Sequence, residues 1–387
     1  MYSREILENG HGDFTALLST LQDQSARKID FVAETAGLDF KTRDGATVVH
    51  AEQTGMATIA ARCNDSAFGQ VLSKADIDTR TGRRLQKNYP DVLDLALNRI
   101  YSNESKSVML RTFDSPVASN EPGELRAFLS DKYKRFDNVD MLEAVVPPLM
   151  ESDARWRIVN STVTEKAMTL RLKSEAITGE GANVGDLMAL GLSLANSETG
   201  HSSAVLAMLA WTLACLNGMQ TSKKQRNAHL TSSQADSDVW SVLSNEAKEA
   251  DNAALSMKLR DVAANYSSRE AFEEVLQSFR AAANDTLSDG TTPQLAVEQV
   301  GRVLQLTKKE TASVLDGLFS TMGQSGYAGQ AVSRATLVNA VTSVGNDSRL
   351  RANEIKADDV SEWEKRGGRL LDLPASQWTS IATARAA

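Results

Sequence analysis

Cysteine is nearly absent from this sequence: Cys63 and Cys215 are the only two in 387 residues. A pair so far apart builds no secreted disulfide framework, and a reducing, cytoplasmic setting is expected. Those cysteines and the four histidines show no metal-ligand spacing, so neither a metal nor any other cofactor is expected. No apolar run reaches the roughly 18–20 residues of a membrane span. The start, "MYSREILENGHGDF", is polar and charged where a leader peptide needs an apolar stretch, so no membrane partner is expected. Aromatics are sparse at 5% of residues, which leaves Leu, Val and Ala to build the cores.

Motifs for common chemistries are missing as well. No Gly-Lys dipeptide occurs, which excludes a Walker-type phosphate loop. "GEGANVG" (Gly179, Gly181, Gly185) is one residue too long for a dinucleotide fingerprint and reads as a flexible loop. "DIDTRTG" opens like a calcium loop, but Arg80 takes a ligand position and Lys87 the place of the bidentate Glu, so a turn is expected. With no catalytic constellation in view, a non-enzymatic protein is expected.

The acidic balance, a formal net charge of −8, disfavours a protein coated for nucleic acid. The charge is uneven, however. Residues 236–290 carry eleven acids against five bases, while "TSKKQRNAHLTSSQA" (221–235) carries three bases and no acid. A local basic groove is compatible with that distribution.

Pattern along the chain predicts an α+β fold: a mainly antiparallel sheet with a buried helix on one face, followed by a helical C-terminal region. Three regions are expected, 1–115 of mixed α and β, 116–235 as the α+β unit, and 236–387 mainly helical. "DFTALLSTLQDQSARKI" has the apolar spacing of a helix, and "NYPDVLDLALNRIYSN" reads as another with Pro90 in its first turn. "RWRIVNSTVTEKAMTLRLKSE" reads as a hairpin, because Met168, Leu170 and Leu172 alternate with Thr169, Arg171 and Lys173. "LMALGLSLANSETG" is apolar on both faces and should be a central strand. "SSAVLAMLAWTLACLNGM" is apolar nearly all round, which predicts a buried helix with Trp211 inside and Gly218 as its C-cap. Farther on, Ser267 with Glu270 and Thr307 with Glu310 have capping-box spacing, and Pro293 sits in a first-turn position.

Three basic clusters fall in the middle region. Lys132, Lys134 and Arg135 flank Tyr133 and Phe136; Arg171 and Lys173 share one face of a strand; Lys223, Lys224, Arg226 and His229 follow the expected helix. Point charges suit a phosphate-tracking groove, and rings between them suit base stacking. Equally, Phe128, Leu129 and Tyr133 could be a core stripe whose lysines solvate the far side. His201, in "NSETGHSS" beside Glu198, Ser202 and Ser203, reads first as part of a polar turn capping the next helix, and next as a nucleic-acid contact.

At these residues the chain resembles a known family. "ELRAFLSDKYKRFDN", "LGLSLANSETGHSSAVLAMLAWTLACLNGM" and "RATLVNAVTSVGNDSRLRANEIKADDVSEWEKRGGRLL", spread over roughly residues 107–373, resemble a phage- and plasmid-borne family catalogued as a domain of unknown function. The resemblance implies a mobile-element origin, action in the host cytoplasm, and no catalytic residues to carry over. In outline the chain is also similar to phage single-strand annealing proteins. The expectation is a single-stranded DNA-binding protein of recombination or replication, acting as a homo-oligomer. The alternative is a structural or host-interaction phage protein, a virion component or an inhibitor of host defence.

Overall fold

The computed structural model describes residues 14–51, 59–114, 122–181, 187–212, 217–227, 244–323, 331–346 and 357–385. Among these, the strands form two sheets. The first has β1 (Lys28–Glu34), β2 (Leu38–Arg43), β3 (Ala46–Ala51), β4 (Ile59–Cys63), β5 (Ser107–Phe113) and β6 (Gly123–Ser130), in the order β1-β5-β6-β4-β3-β2. Its ladders are antiparallel except β4 with β6. Asp44 and Gly45, at φ 50° and 73°, supply the left-handed pair that a tight β2–β3 turn requires.

Helix α1 (Phe14–Arg27) precedes β1, and α2 (Asp65–Lys74), α3 (Thr79–Asn88) and α4 (Pro90–Asn103) separate β4 from β5. Phe68, Val71 and Leu72 of α2 and Leu93, Leu97 and Tyr101 of α4 pack on Phe40, Leu110, Leu125 and Phe128 of the sheet. The turn expected in "DIDTRTG" is present at Asp76, which takes φ 55°, and it leads into a helix start where Asp78 caps Thr81 of α3. Pro90 opens α4 as its position predicted.

The segment expected as a helix or as a nucleic-acid contact is not helical. Arg126–Ser130 belongs to β6, and Tyr133 and Phe136 follow in a turn that leads to α5 (Asn138–Glu151). The first sheet therefore extends past the expected boundary at 115.

The second sheet is an antiparallel meander in the order β11-β10-β9-β8-β7, made of β7 (Trp156–Val163), β8 (Met168–Glu180), β9 (Leu187–Asn196), β10 (Ala204–Thr212) and β11 (Asn217–Asn227). The predicted hairpin is β7–β8, and β9 is the central strand. One face, with Leu170, Leu172, Leu192, Leu194 and Leu206, packs on Met141, Leu142 and Val145 of α5 and on Leu17 and Leu21 of α1.

One element differs from expectation. The stretch predicted as a buried helix over 204–217 contains strand β10, and Gly218 lies in β11 opposite Trp211 rather than at a helix end. The physical reason is burial on both sides. Leu206 and Met208 fill one face of β10 and Leu209 and Trp211 the other, all 5% exposed or less. A strand covered twice is apolar all round, as a buried helix is, and periodicity cannot separate them.

The remainder is helical: α6 (Asn245–Tyr266), α7 (Arg269–Asn284), α8 (Pro293–Val303), α9 (Lys308–Met322), α10 (Arg334–Asn346), α11 (Ala357–Leu371) and α12 (Ala375–Ala382). Thr307 and Glu310 form the expected capping box, and Pro293 opens α8. At α7 the cap is shifted by one residue: Ser268 caps Ala271, while Ser267 ends α6. Phe272, Phe279, Val300, Leu318, Val338, Val341 and Leu370 join Leu190 and Met208 of the second sheet in one core. The fold is thus α+β with antiparallel-rich sheets and a helical C-terminal region. Among the described residues, no helix is long and apolar enough to cross a membrane.

Candidate functional site

Two features stand out where the sheets meet their surroundings: a buried charge junction and a basic face. The junction begins with a bulge. Between β5 and β6 the register shifts at Arg111/Thr112, leaving Arg126 as the extra residue. A bulge re-aims a side chain. Arg126 stacks over the Phe113 ring at 3.9 Å and its Nη2 lies 2.5 Å from Glu198 Oε2. Arg111, fully buried, donates to Asp30 (Nε, 3.0 Å), to Asp137 (Nη2, 2.6 Å) and to the Glu198 carbonyl (Nη1, 2.8 Å). Lys28 pairs with the other Asp137 oxygen. Three cations face three carboxylates, as burial of charge demands.

The loop carrying Glu198 joins β9 to β10 and plugs into the first sheet. Asn138 N–H donates to Glu198 Oε1 at 2.7 Å, and Tyr133 Oη donates to the Ser197 carbonyl at 2.7 Å. Gln70 of α2 donates to the Thr199 carbonyl at 2.6 Å and accepts from Phe128 N–H at 2.8 Å. Gly200 takes φ 82°, and a Cβ there would meet Leu129 at 2.8 Å, so the position needs glycine. Burial raises the Asp137 carboxyl, but Arg111 and Lys28 outweigh it and hold the group below the usual carboxylate range. Burial works against the charge on Arg111, but Asp137, Asp30 and Glu198 hold it charged.

His201 is exposed, and its Nε2 lies 2.5 Å from Ser66 Oγ at the start of α2. Glu198, its neighbour in sequence, faces Arg126 and Asn138 instead. The loop is a polar turn as expected, but it leads to a strand and ties down a neighbouring sheet rather than capping a helix. Sequence reading missed this charge junction. The signal that remained was a run of polar residues, Asn196 to Thr199, directly after an apolar strand.

The basic face belongs to the second sheet. Residues opposite one another in an antiparallel ladder share a side. One transverse row is Asn160, Arg171, Ser193, Ala207 and Lys224; the next is Arg157, Lys173, Gly191, Leu209 and Gln220; a third is Thr162, Thr169, Ala195, Val205 and Arg226. Small residues line the middle strand of this side, Gly191, Ser193 and Ala195, with Arg171 and Lys173 on β8 beside them and Val205, Ala207 and Leu209 on β10. Trp211 crosses one end: its indole N–H donates to the Leu172 carbonyl at 3.1 Å, and it lies against Gly191, which has no room for a Cβ.

The expected contact residues are distributed unevenly. Arg171 and Lys173 do share one face, half-buried. Arg171 is paired with Glu364 of α11 at 3.2 Å. Burial raises the Glu364 carboxyl to about 7, against the pull of Arg171 and Lys365. Lys132 is half-buried, Arg135 is exposed, and Lys134 pairs with Asp251 of α6 at 3.0 Å. Tyr133 is a correction: at 3% exposure, with its hydroxyl committed to Ser197, it offers no ring face to a base. Phe136, 1% exposed, is core for the same reason. Lys223, Lys224 and Arg226 lie on β11 by their backbone, and their side chains fall outside the described ones. His229 lies outside the described residues.

Among the described residues, no group of three or more His, Cys, Asp or Glu is arranged to hold a metal ion. No protein-family model matches the chain, and neither a curated protein nor a solved structure matches it.

Proposed function

We propose that this protein binds single-stranded DNA, without catalysing a reaction, on the basic face of its second sheet. One observation supports this most: the ladder brings Arg157 and Lys173, Arg171 and Lys224, and Arg226 into three neighbouring rows with small residues between them. Rows in a sheet are about 7 Å apart along a strand, two residues of rise. That spacing suits the phosphates of an extended strand. With Tyr133 and Phe136 in the core, affinity on this reading is electrostatic rather than stacking-driven. The likeness to phage- and plasmid-borne proteins adds the setting, recombination or replication in a host cytoplasm. Self-assembly would use sheet edges, since β1 and β7 each end a sheet among the described residues.

The test is a salt titration with a fluorescent oligothymidine. Affinity should fall by about 0.7 decade per decade of salt for each phosphate neutralised. A variant with Lys223, Lys224 and Arg226 all changed to Ala should bind every sequence more weakly and with a shallower slope. No binding by unmodified protein at low salt would end the proposal. That result would favour the alternative, a structural or host-interaction protein. Tyr89, Val92 and Leu95 support it, being 49%, 48% and 71% exposed at helical spacing around the start of α4, a stripe suited to an apolar protein partner.

A further inference from the structure

In each of the two basic clusters whose side chains are described, one cation is already paired, and by the same part of the molecule. Lys134, in the turn after the first sheet, lies 3.0 Å from Asp251 of α6. Arg171, on the basic face of the second sheet, lies 3.2 Å from Glu364 of α11. Asn252 reinforces the first contact by donating to the Arg135 carbonyl at 2.8 Å. Both acids come from the helical region that follows residue 236.

The two contacts differ in kind. The Lys134–Asp251 pair is solvent-facing, with side chains 29% and 49% exposed, and a competitor can reach it. Such pairs contribute about 1 kcal/mol or less. Glu364 is buried at 1% exposure, and neither of its carboxylate oxygens has a hydrogen-bond donor among the described residues. Its ion-pair partner among the described residues is Arg171, at a distance without hydrogen-bond alignment. A carboxylate held this way has given up hydration without gaining a hydrogen-bond donor among the described residues, so it is poorly compensated. Helix α11 also lies against β11, the strand that carries Lys224 and Arg226.

We infer that the C-terminal helices act as an intramolecular anion that competes with nucleic-acid phosphates for the basic clusters, so that the free chain is held in a low-affinity state. This rests on the single-stranded DNA reading and specifies its regulation. Asp251 and Glu364 stand where phosphates would sit. A nucleic acid must displace both carboxylates, and removing their charge takes these partners from two cations without adding a contact.

The experiment uses the full chain with Asp251→Asn, Glu364→Gln and both together, titrated above neutral pH with the same oligothymidine over a range of salt. Each charge removed should raise affinity by up to about fivefold at low salt. Each should also steepen the salt slope by about 0.7, so by about 1.4 in the double variant. Unmodified protein that binds, with a double variant of unchanged affinity and slope, overturns the competition and leaves the DNA reading standing. If neither protein binds at low salt, both fall. Should Glu364→Gln misfold, Asp251→Asn alone carries the test, because its pair is exposed and its loss leaves the core untouched.

Discussion

Arg126 and Glu198 meet at 2.5 Å across the boundary between the two sheets, one from a bulge in β6 and the other from the loop between β9 and β10. Both are nearly excluded from water, with side chains 9% and 6% exposed. Among the described residues, Glu198 is the link in this junction that contacts both buried arginines, Arg126 through its carboxylate and Arg111 through its carbonyl. The junction sets how the second sheet is held against the first.

Truncating that carboxylate should therefore be expensive. Glu198→Ala leaves Arg126 buried with the Phe113 ring but no anion, and also strips Asn138 N–H of its acceptor. Loss of one partner of a buried pair costs about 3–5 kcal/mol. Glu198→Gln keeps an oxygen for Asn138 and should cost less. A double change, Arg126→Met with Glu198→Leu, removes both charges and should recover part of the loss. Urea denaturation of the four proteins decides the matter: a Glu198→Ala variant with an unchanged midpoint would show that the junction holds nothing together.

Trp211 and Gly191 form a second coupled pair. Trp211 is 5% exposed and packs with Ala189, Leu209 and Val159 on the side opposite the main core. Trp211→Ala should cost about 3–5 kcal/mol, as large core truncations do. Gly191→Ala adds a single methyl, yet it has to push the indole off the Leu172 carbonyl, and overpacking of this sort costs about 1–3 kcal/mol. If the tryptophan is displaced as argued, the Gly191→Ala protein should show red-shifted tryptophan emission as well as a lower melting temperature. Unchanged stability and emission in Gly191→Ala would mean that the two residues do not touch.

Much of the fold was legible in the sequence, because its local signals agree with their surroundings. Pro90, Pro293 and the Thr307–Glu310 box mark helix starts that the structure has. Alternation in Met168–Lys173 gives β8 and its two faces. The failures share a cause: the decisive partner is distant in sequence. Strand β10 reads as a helix because its second cover is invisible locally. Tyr133 reads as a ring among lysines because Ser197, which accepts its hydroxyl, is known only from the fold. The charge junction draws on Lys28, Asp30, Arg111, Arg126, Asp137 and Glu198, and no spacing connects them.

The pH dependence of stability should reveal Glu364. Burial lifts its carboxyl from an ordinary 4.5 to about 7 in the folded protein, with Arg171 and Lys365 pulling the other way. In the unfolded chain the group loses its proton near the ordinary value. Between those two values the folded state holds more protons than the unfolded one, so stability falls as pH rises through that window. Below it both states are protonated, and above it both are ionised, so the contribution is then constant. At about 1.4 kcal/mol per unit, the loss is on the order of 3 kcal/mol across the window. Glu364→Gln has no proton to release and should lack this slope. The variant should therefore gain on the unmodified protein as pH is raised from about 5 to about 8, although other groups titrate in both. Urea midpoints measured across that range provide the comparison. Parallel curves for the two proteins would mean that Glu364 is ionised throughout, and that Arg171 compensates its burial in full.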